Sequence, residues 1–228
     1  MSKTVKVRES RDRLLEAGLK VFASKGYDGA TVREISDEAG SNLAAINYYF
    51  RDKAGFYQAV RDYARQIRRE RMQHCWNTAE SDPWQALRIH IDILLDNTYN
   101  STMSQINWMH MRDLVDGKNH PLIQQDPDRE QLIKNYEDRL TGMLSALLGP
   151  AANEDNLSLV RYTYHSLCLF LPIQTQVEQR FFNGKSRFRL SGNHDKTFLT
   201  NYILNLVRHT VEEMQAKLQQ LGTTPSHE

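Results

Sequence analysis

The side chains best suited to specific recognition chemistry stand within one short stretch, Asn42 to Tyr48. The Asn47 amide can pair bidentately with N6 and N7 of adenine, whereas Leu43, Ala44 and Ala45 cannot hydrogen-bond a base edge and can only meet a thymine methyl. Other chemistry lacks its residues. The eight histidines, His74, His90, His110, His120, His165, His194, His209 and His227, show no His-Glu-x-x-His pair or other ligand spacing. No glycine-rich phosphate loop or nucleophile elbow is present either. His74 and Cys75 are adjacent, so on a helix they point to different sides and make a poor metal pair. No catalytic residue, metal or cofactor is expected, and an enzyme reading competes poorly.

Two short helices must position this stretch. Thr31 can cap the first, whose apolar positions Val32, Ile35 and Ala39 recur at helical spacing, and Gly40 supplies the positive-φ corner that ends it. Asn42 can cap the second, in which Leu43, Ile46 and Phe50 form an apolar stripe while Ala44, Ala45, Asn47 and Tyr48 face elsewhere. Two readings fit: a helix-turn-helix whose second member enters a DNA major groove, or a plain αα corner in a helical core. The flanks decide between them. Before the pair, Arg11 to Lys25 is amphipathic, with Leu14, Leu15, Leu19, Val21 and Phe22 on its apolar side and Gly26 to stop it. After it, Asp52 can cap a further helix carrying Phe56, Tyr57 and Val60.

Taken together, Arg13 to Val60 resembles the TetR family of transcriptional repressors in the order and spacing of Phe22, Gly26, Tyr27, Thr31, Ile35, Ala39, Gly40, Tyr49, Phe50 and Lys53. The resemblance implies that Thr31, Val32 and Arg33 sit beside the duplex, that Tyr48 and Tyr49 reach phosphates, and that Lys53 holds another. Tyr hydroxyls and Lys are good phosphate partners that carry no sequence information, so this agrees with their chemistry. With Asn42, Leu43, Ala44, Ala45 and Asn47 they form the expected DNA-binding set, and Phe50 is expected in the core. The chain departs from the family pattern at Gly18, where a good helix former is usual. It departs again at Ser41, where many members have a β-branched residue, and at Asn47, often a tyrosine.

A chain of 228 residues can bury a full core and suits one small domain plus one larger one. Net charge is close to zero, but residues 1–73 hold 15 Lys and Arg against 10 Asp and Glu, and the remainder 14 against 18. That asymmetry puts the anion-seeking end at the helix pair. Cys75 and Cys168 read as reduced thiols of an intracellular chain. The polar, basic start MSKTVKVRES lacks the apolar centre of a signal peptide. Leu157 to Ile173 is too short for a comfortable membrane span and holds Arg161, His165 and Pro172. A cytoplasmic protein follows.

The expected organisation is all-α: a flexible basic arm at 1–8, a three-helix DNA-binding head at 9–55, a connecting helix at 56–80, a larger helical ligand-binding and dimerisation domain at 81–221, and a disordered tail at 222–228. Arm residues Lys3, Lys6 and Arg8 can touch phosphates, but an arm that touches nothing is the simpler reading. The run Arg61, Arg65, Arg68, Arg69 and Arg71 reads first as a solvated helix face. Asp82 caps and Pro83 opens the second domain. Its stripes are Trp84 to Thr98, Ile106 to Val115, Leu132 to Leu148 ended by Gly149-Pro150, Leu157 to Phe181, and Phe198 to Leu218, with loops at Asn119–Pro127 and Asn183–Asn193.

The last stripe is wide for the edge of a monomer. The resemblance implies that the last two long helices pair with those of a second copy through Leu169, Phe198, Tyr202 and Leu206, though both could simply finish the core. A two-fold homodimer presents two recognition helices and so expects an inverted-repeat operator on double-stranded DNA. A cavity for a small-molecule effector is expected among Trp108, Met111, Arg112, Tyr136, Tyr164, His165 and Cys168, which combine adaptable apolar walls with a few polar anchors. The competing function is a helical interaction or metal-sensing module without operator binding.

Overall fold

The computed structural model describes residues 3–116, 129–183 and 196–222. Among these residues every element is helical, as expected: α1 (Lys3–Gly29), α2 (Val32–Glu38), α3 (Leu43–Phe50), α4 (Lys53–Ala79), α5 (Pro83–Tyr99), α6 (Ser101–Asp116), α7 (Arg129–Leu148), a single 3-10 turn (Gly149–Ala151), α8 (Glu154–Phe182) and α9 (Lys196–Gly222). No described helix is long and apolar enough to cross a membrane.

The stop signals act where the sequence puts them. Gly26 breaks the helical path of α1 with φ of 72°, and Gly149 ends α7 with φ of 56°. Asp82 Oδ1 accepts from the Gln85 amide at 2.9 Å, with Pro83 in the first helical position of α5. Asn183 closes α8 in the left-handed region at φ of 48°. The rest of the Asn183–Asn193 loop, the Asn119–Pro127 loop and the expected tail beyond Gly222 lie outside the described residues.

At the N-terminus the structure corrects the expected arm, because α1 is already helical at Lys3. Lys3 to Arg8 contains neither glycine nor proline, so nothing prevents the helix running back through them.

The helices pack as two compact units. The first comprises α1, α2, α3, α4 as far as Glu70, and α6. Its core is Leu14, Leu19, Phe22, Ile35, Ile46 and Phe56, closed by Met103, Ile106 and Met109 of α6. The second begins at Arg71 and holds the end of α4, α5, α7, α8 and α9 around Leu87, Ile91, Leu95, Leu144, Val160, Ile203 and Val207. The expected divisions at 55 and 80 therefore give way to one at 70, and α6 joins the head. Hydrophobic period identifies a buried face but not the neighbour that covers it, so α6 could not be assigned from its stripe.

Two details in the first unit answer questions the sequence left open. A Cβ on Gly18 would lie 2.6 Å from Phe56 Cζ and 2.7 Å from Val60 Cγ2, so the glycine permits α1 and α4 to approach closely. Arg61, expected on a solvated face, is 7% exposed and pairs with the buried Asp113 of α6 at 3.2 Å. Tyr57 donates its hydroxyl to the same carboxylate. The other half of α6's grip is Arg112, whose guanidinium donates to the carbonyls of Ala23 and Ser24 at 3.0 and 2.7 Å, near the end of the first part of α1.

Candidate nucleic-acid interface

The interface is built by caps at each end of two short helices. Thr31, extended at φ −116° and ψ 143°, accepts the Glu34 amide on its hydroxyl at 3.2 Å and starts α2. At the other end Ser41 N–H donates to Ser36 O at 2.9 Å and Gly40 N–H to Asp37 O at 3.2 Å, with Gly40 at φ 57°. This paired 6→1 and 5→2 arrangement is a Schellman motif, and it turns the chain sharply within two residues. Asn42 then accepts the Ala44 amide at 3.0 Å and starts α3.

The inner side of α3 is fixed by Ile46 and Phe50, both buried, with the Phe50 ring 4.7 Å from that of Phe56. That anchoring leaves Asn42, Ala44 and Asn47 exposed on the other side, with Ala45 half-buried. Tyr48 stands out at 80% exposure. Leu43 corrects the expected apolar stripe: it is 44% exposed and belongs to the outward face, since its place in the first turn lies beyond the reach of the core. Thr31 and Arg33 are exposed, while Val32 and Tyr49 are half-buried and pack on the core of the first unit.

Lys53 stands at the start of α4 with its ammonium 4.5 Å from the centre of the Tyr27 ring. Burial, followed by the nearby Asp52 and Asp28 carboxylates, pushes the Tyr27 hydroxyl pKa up, so this ring stays neutral beneath the cation. Asp52 caps α4 by accepting the Gly55 amide at 2.7 Å. The expected DNA-binding residues thus gather on α3 and at the adjoining starts of α2 and α4. Large side chains on this face are few, and the hydrogen-bonding groups that could reach base edges reduce to Asn42 and Asn47. Asn42 already spends its side-chain oxygen on the cap.

Residues 14–60 match the family described as bacterial regulatory proteins, tetR family. The match falls on the two short helices and the segments that flank them. The probable HTH-type transcriptional regulator YttP of Bacillus subtilis is 39% identical over 49 residues, 22% of this chain and 24% of that protein, so the match spans about a quarter of that relative. The HTH-type transcriptional dual regulator CecR of Shigella flexneri is 27% identical over 167 residues, 68% of this chain and 72% of that protein. Among solved structures, AibR in complex with isovaleryl coenzyme A and operator DNA shares the fold at a TM-score of 0.58 and 13% identity, over 86% of this chain and 97% of that one.

The residues expected to line an effector cavity are divided between the two units. Trp108, Met111 and Arg112 lie on α6 in the first unit, where Trp108 packs on the core and Arg112 holds the α1 carbonyls. Tyr136, Tyr164, His165 and Cys168 lie in the second. There Tyr136, Tyr164 and His165 stand against His90 of α5, which lay outside the expected set. It is fully buried, with Nδ1 3.1 Å from the Tyr164 hydroxyl and Nε2 3.1 Å from the Tyr136 hydroxyl. In its neutral form an imidazole donates from one nitrogen and accepts at the other, so the tautomer sets which phenol would accept and which would donate. A signal was available, because His90 is a polar side chain on the apolar stripe of α5 between Leu87 and Leu94.

The His165 ring stands 5.5 Å from that of His90, and its buried Nε2 has no hydrogen-bond partner among the described residues. Burial, then the nearby Arg161, lowers its pKa to about 4, so the ring is neutral at pH 7. Trp76 closes the group, with its ring 5.7 Å from that of His90. Burial pushes the Cys75 and Cys168 thiols up to about 12, which keeps both protonated and unreactive. Among the described residues no three His, Cys, Asp or Glu side chains gather as a metal site.

The four residues expected at a dimer interface are all exposed in the single chain: Leu169 on α8, and Phe198, Tyr202 and Leu206 on α9. The last three recur every four residues, with the Phe198 and Tyr202 rings stacked at 6.4 Å. Leu159, Tyr162, Phe170 and Ile173 extend the uncovered apolar surface along α8.

Proposed function

We propose that this chain is a cytoplasmic, homodimeric transcriptional repressor that binds an inverted-repeat operator and leaves it when a small molecule occupies the second unit. One observation carries the reading: Ile46 and Phe50 fasten α3 to the core by one side only, and the other side, with Asn42, Leu43, Ala44, Asn47 and Tyr48, is left open at the width of a single helix. A major groove admits a rod of that size. Base discrimination rests on Asn47 and on apolar contact from Leu43 and Ala44. Thr31, Arg33, Tyr48, Tyr49 and Lys53 serve the phosphates.

The exposed stripe of Phe198, Tyr202 and Leu206, with Leu169, supports a second copy as its cover, because exposed apolar rows of this length mark protein contacts. The His90, Tyr136, Tyr164 and His165 group supports the effector site, with the unpartnered His165 Nε2 as an anchor for a hydrogen-bonding ligand. Trp108, Met111 and Arg112 are left out of that site. Helix α4 begins in the first unit and ends in the second, so it is the element through which an effector acts on the head. The effector works only through its differential affinity for the two conformers.

Selection of bound duplexes from a random library tests the reading. An enriched inverted repeat, bound with a steep fall in affinity as salt rises, is the expected result. Recovery of no duplex at low salt would reject operator binding, and an enriched single half-site would reject the two-fold dimer.

A further inference from the structure

The connection between α3 and α4 is two residues, Arg51 and Asp52, the first of them held in an unusual conformation. Arg51 lies at φ 72° and ψ −56°, and the Asp52 amide donates back to the Phe50 carbonyl at 2.9 Å. An i→i+2 hydrogen bond around these angles is the strained form of the γ-turn, which a residue with a Cβ rarely adopts. The surroundings leave little choice. Phe50 is buried against Phe56, Asp52 caps α4, and a Cβ on Gly55 would stand 2.4 Å from the Phe50 carbonyl oxygen. The chain thus satisfies the close approach at position 55 with glycine, yet at position 51, where glycine would remove the strain, it places an arginine.

Strained backbone persists where the surroundings over-determine it, and it clusters at binding sites. The Arg51 side chain is exposed and makes no hydrogen bond, ion pair or ring contact among the described residues. Most other arginines of this region are engaged: Arg61 pairs with Asp113, Arg65 with Asp62, and Arg11 stacks over Phe50. Arg51 directly follows the last residue of α3 and stands two residues before Lys53.

We propose that Arg51 is a phosphate-binding residue of the DNA interface, its guanidinium presented to the duplex backbone by the strained turn between α3 and α4. This rests on the operator-binding reading above and extends it to a position outside the expected contact set. A guanidinium suits a phosphodiester because two of its N–H groups match two phosphate oxygens. Such a contact carries no sequence information, so it acts alike on every duplex.

The test therefore uses the full chain and a mixed-sequence DNA duplex, with affinity measured across a range of sodium chloride concentrations. Wild type, Arg51→Gly and Arg51→Lys are compared, and each is also followed through thermal unfolding. Arg51→Gly is expected to bind several-fold more weakly at low salt, with its log–log salt slope reduced by about 0.9, the value of one lost phosphate contact. Because glycine accepts φ of 72° freely, the same variant is expected to unfold at a temperature no lower than wild type, which separates lost contact from lost fold. Arg51→Lys keeps the charge and should retain most of the slope.

A wild-type protein that binds with a steep salt slope, alongside an Arg51→Gly variant of unchanged slope, would overturn the assignment while leaving the operator reading intact. A variant that melts well below wild type would overturn the strained-turn argument. If wild type bound no duplex at all, the operator reading would fail and take this proposal with it.

Discussion

Single residues decide readout and local stability here. Asn47 is the one side chain on the open face of α3 whose amide is free of a cap, so Asn47→Ala is expected to cost about 1–3 kcal/mol at one base position and to relax preference there only. Mutational scanning of the selected operator against this variant measures it, and equal losses across all positions would count against direct readout. His165 makes a pH prediction. Its pKa is about 4 in the folded chain against an ordinary 6.5, so between those values the unfolded state binds the proton and the folded state does not. Stability is therefore complete above about pH 6.5, falls as pH drops toward about 4, and is lost no further below that. His165→Gln should flatten this part of the pH–stability curve followed by circular dichroism, whereas an unchanged slope would show that His165 is not its source. Thr31, Gly40 and Asn42 could be read in advance because capping is local: each acts on amides within a few residues. His90 and Arg61 could not, because their partners Tyr164, Tyr136 and Asp113 are remote in sequence.

At the scale of elements, α6 is the helix whose membership changed. Its Asp113 carboxylate takes both Tyr57 and Arg61 of α4, and removal would strand a buried guanidinium. Asp113→Ala is accordingly expected to cost about 3–5 kcal/mol, read by chemical denaturation of the full chain. A loss below about 1 kcal/mol would mean that α6 contributes little to the head. Gly18 makes the opposite point about propensity. Alanine should favour a helix interior by up to about 1 kcal/mol, but the crowding against Phe56 and Val60 outweighs it, so Gly18→Ala is expected to destabilise by about 1–3 kcal/mol. A more stable Gly18→Ala variant would show that α1 and α4 can separate cheaply. From sequence the glycine looked like a weak point of α1, and only the approach of a remote helix gives it a reason.

For the whole molecule, the decisive question is what covers the uncovered rows of α8 and α9. The double variant Tyr202→Glu and Leu206→Glu is expected to remain helical yet sediment as a monomer, and to lose operator affinity because only one recognition helix then engages. A dimer that survived both charges would relocate the interface. The amino-acid order by itself determined the all-helical class, the caps and glycine corner that shape α2 and α3, and the family resemblance of the segment that holds them. All of these follow from hydrogen bonds and periodicities that close within a few residues. Tertiary structure alone decided that α6 builds the head, that the expected cavity residues divide between two units, that His90 joins two tyrosines, and that Arg51 sits in a strained turn. Each of those depends on which buried face meets which, and a stripe of apolar residues states that it must be covered without naming its cover.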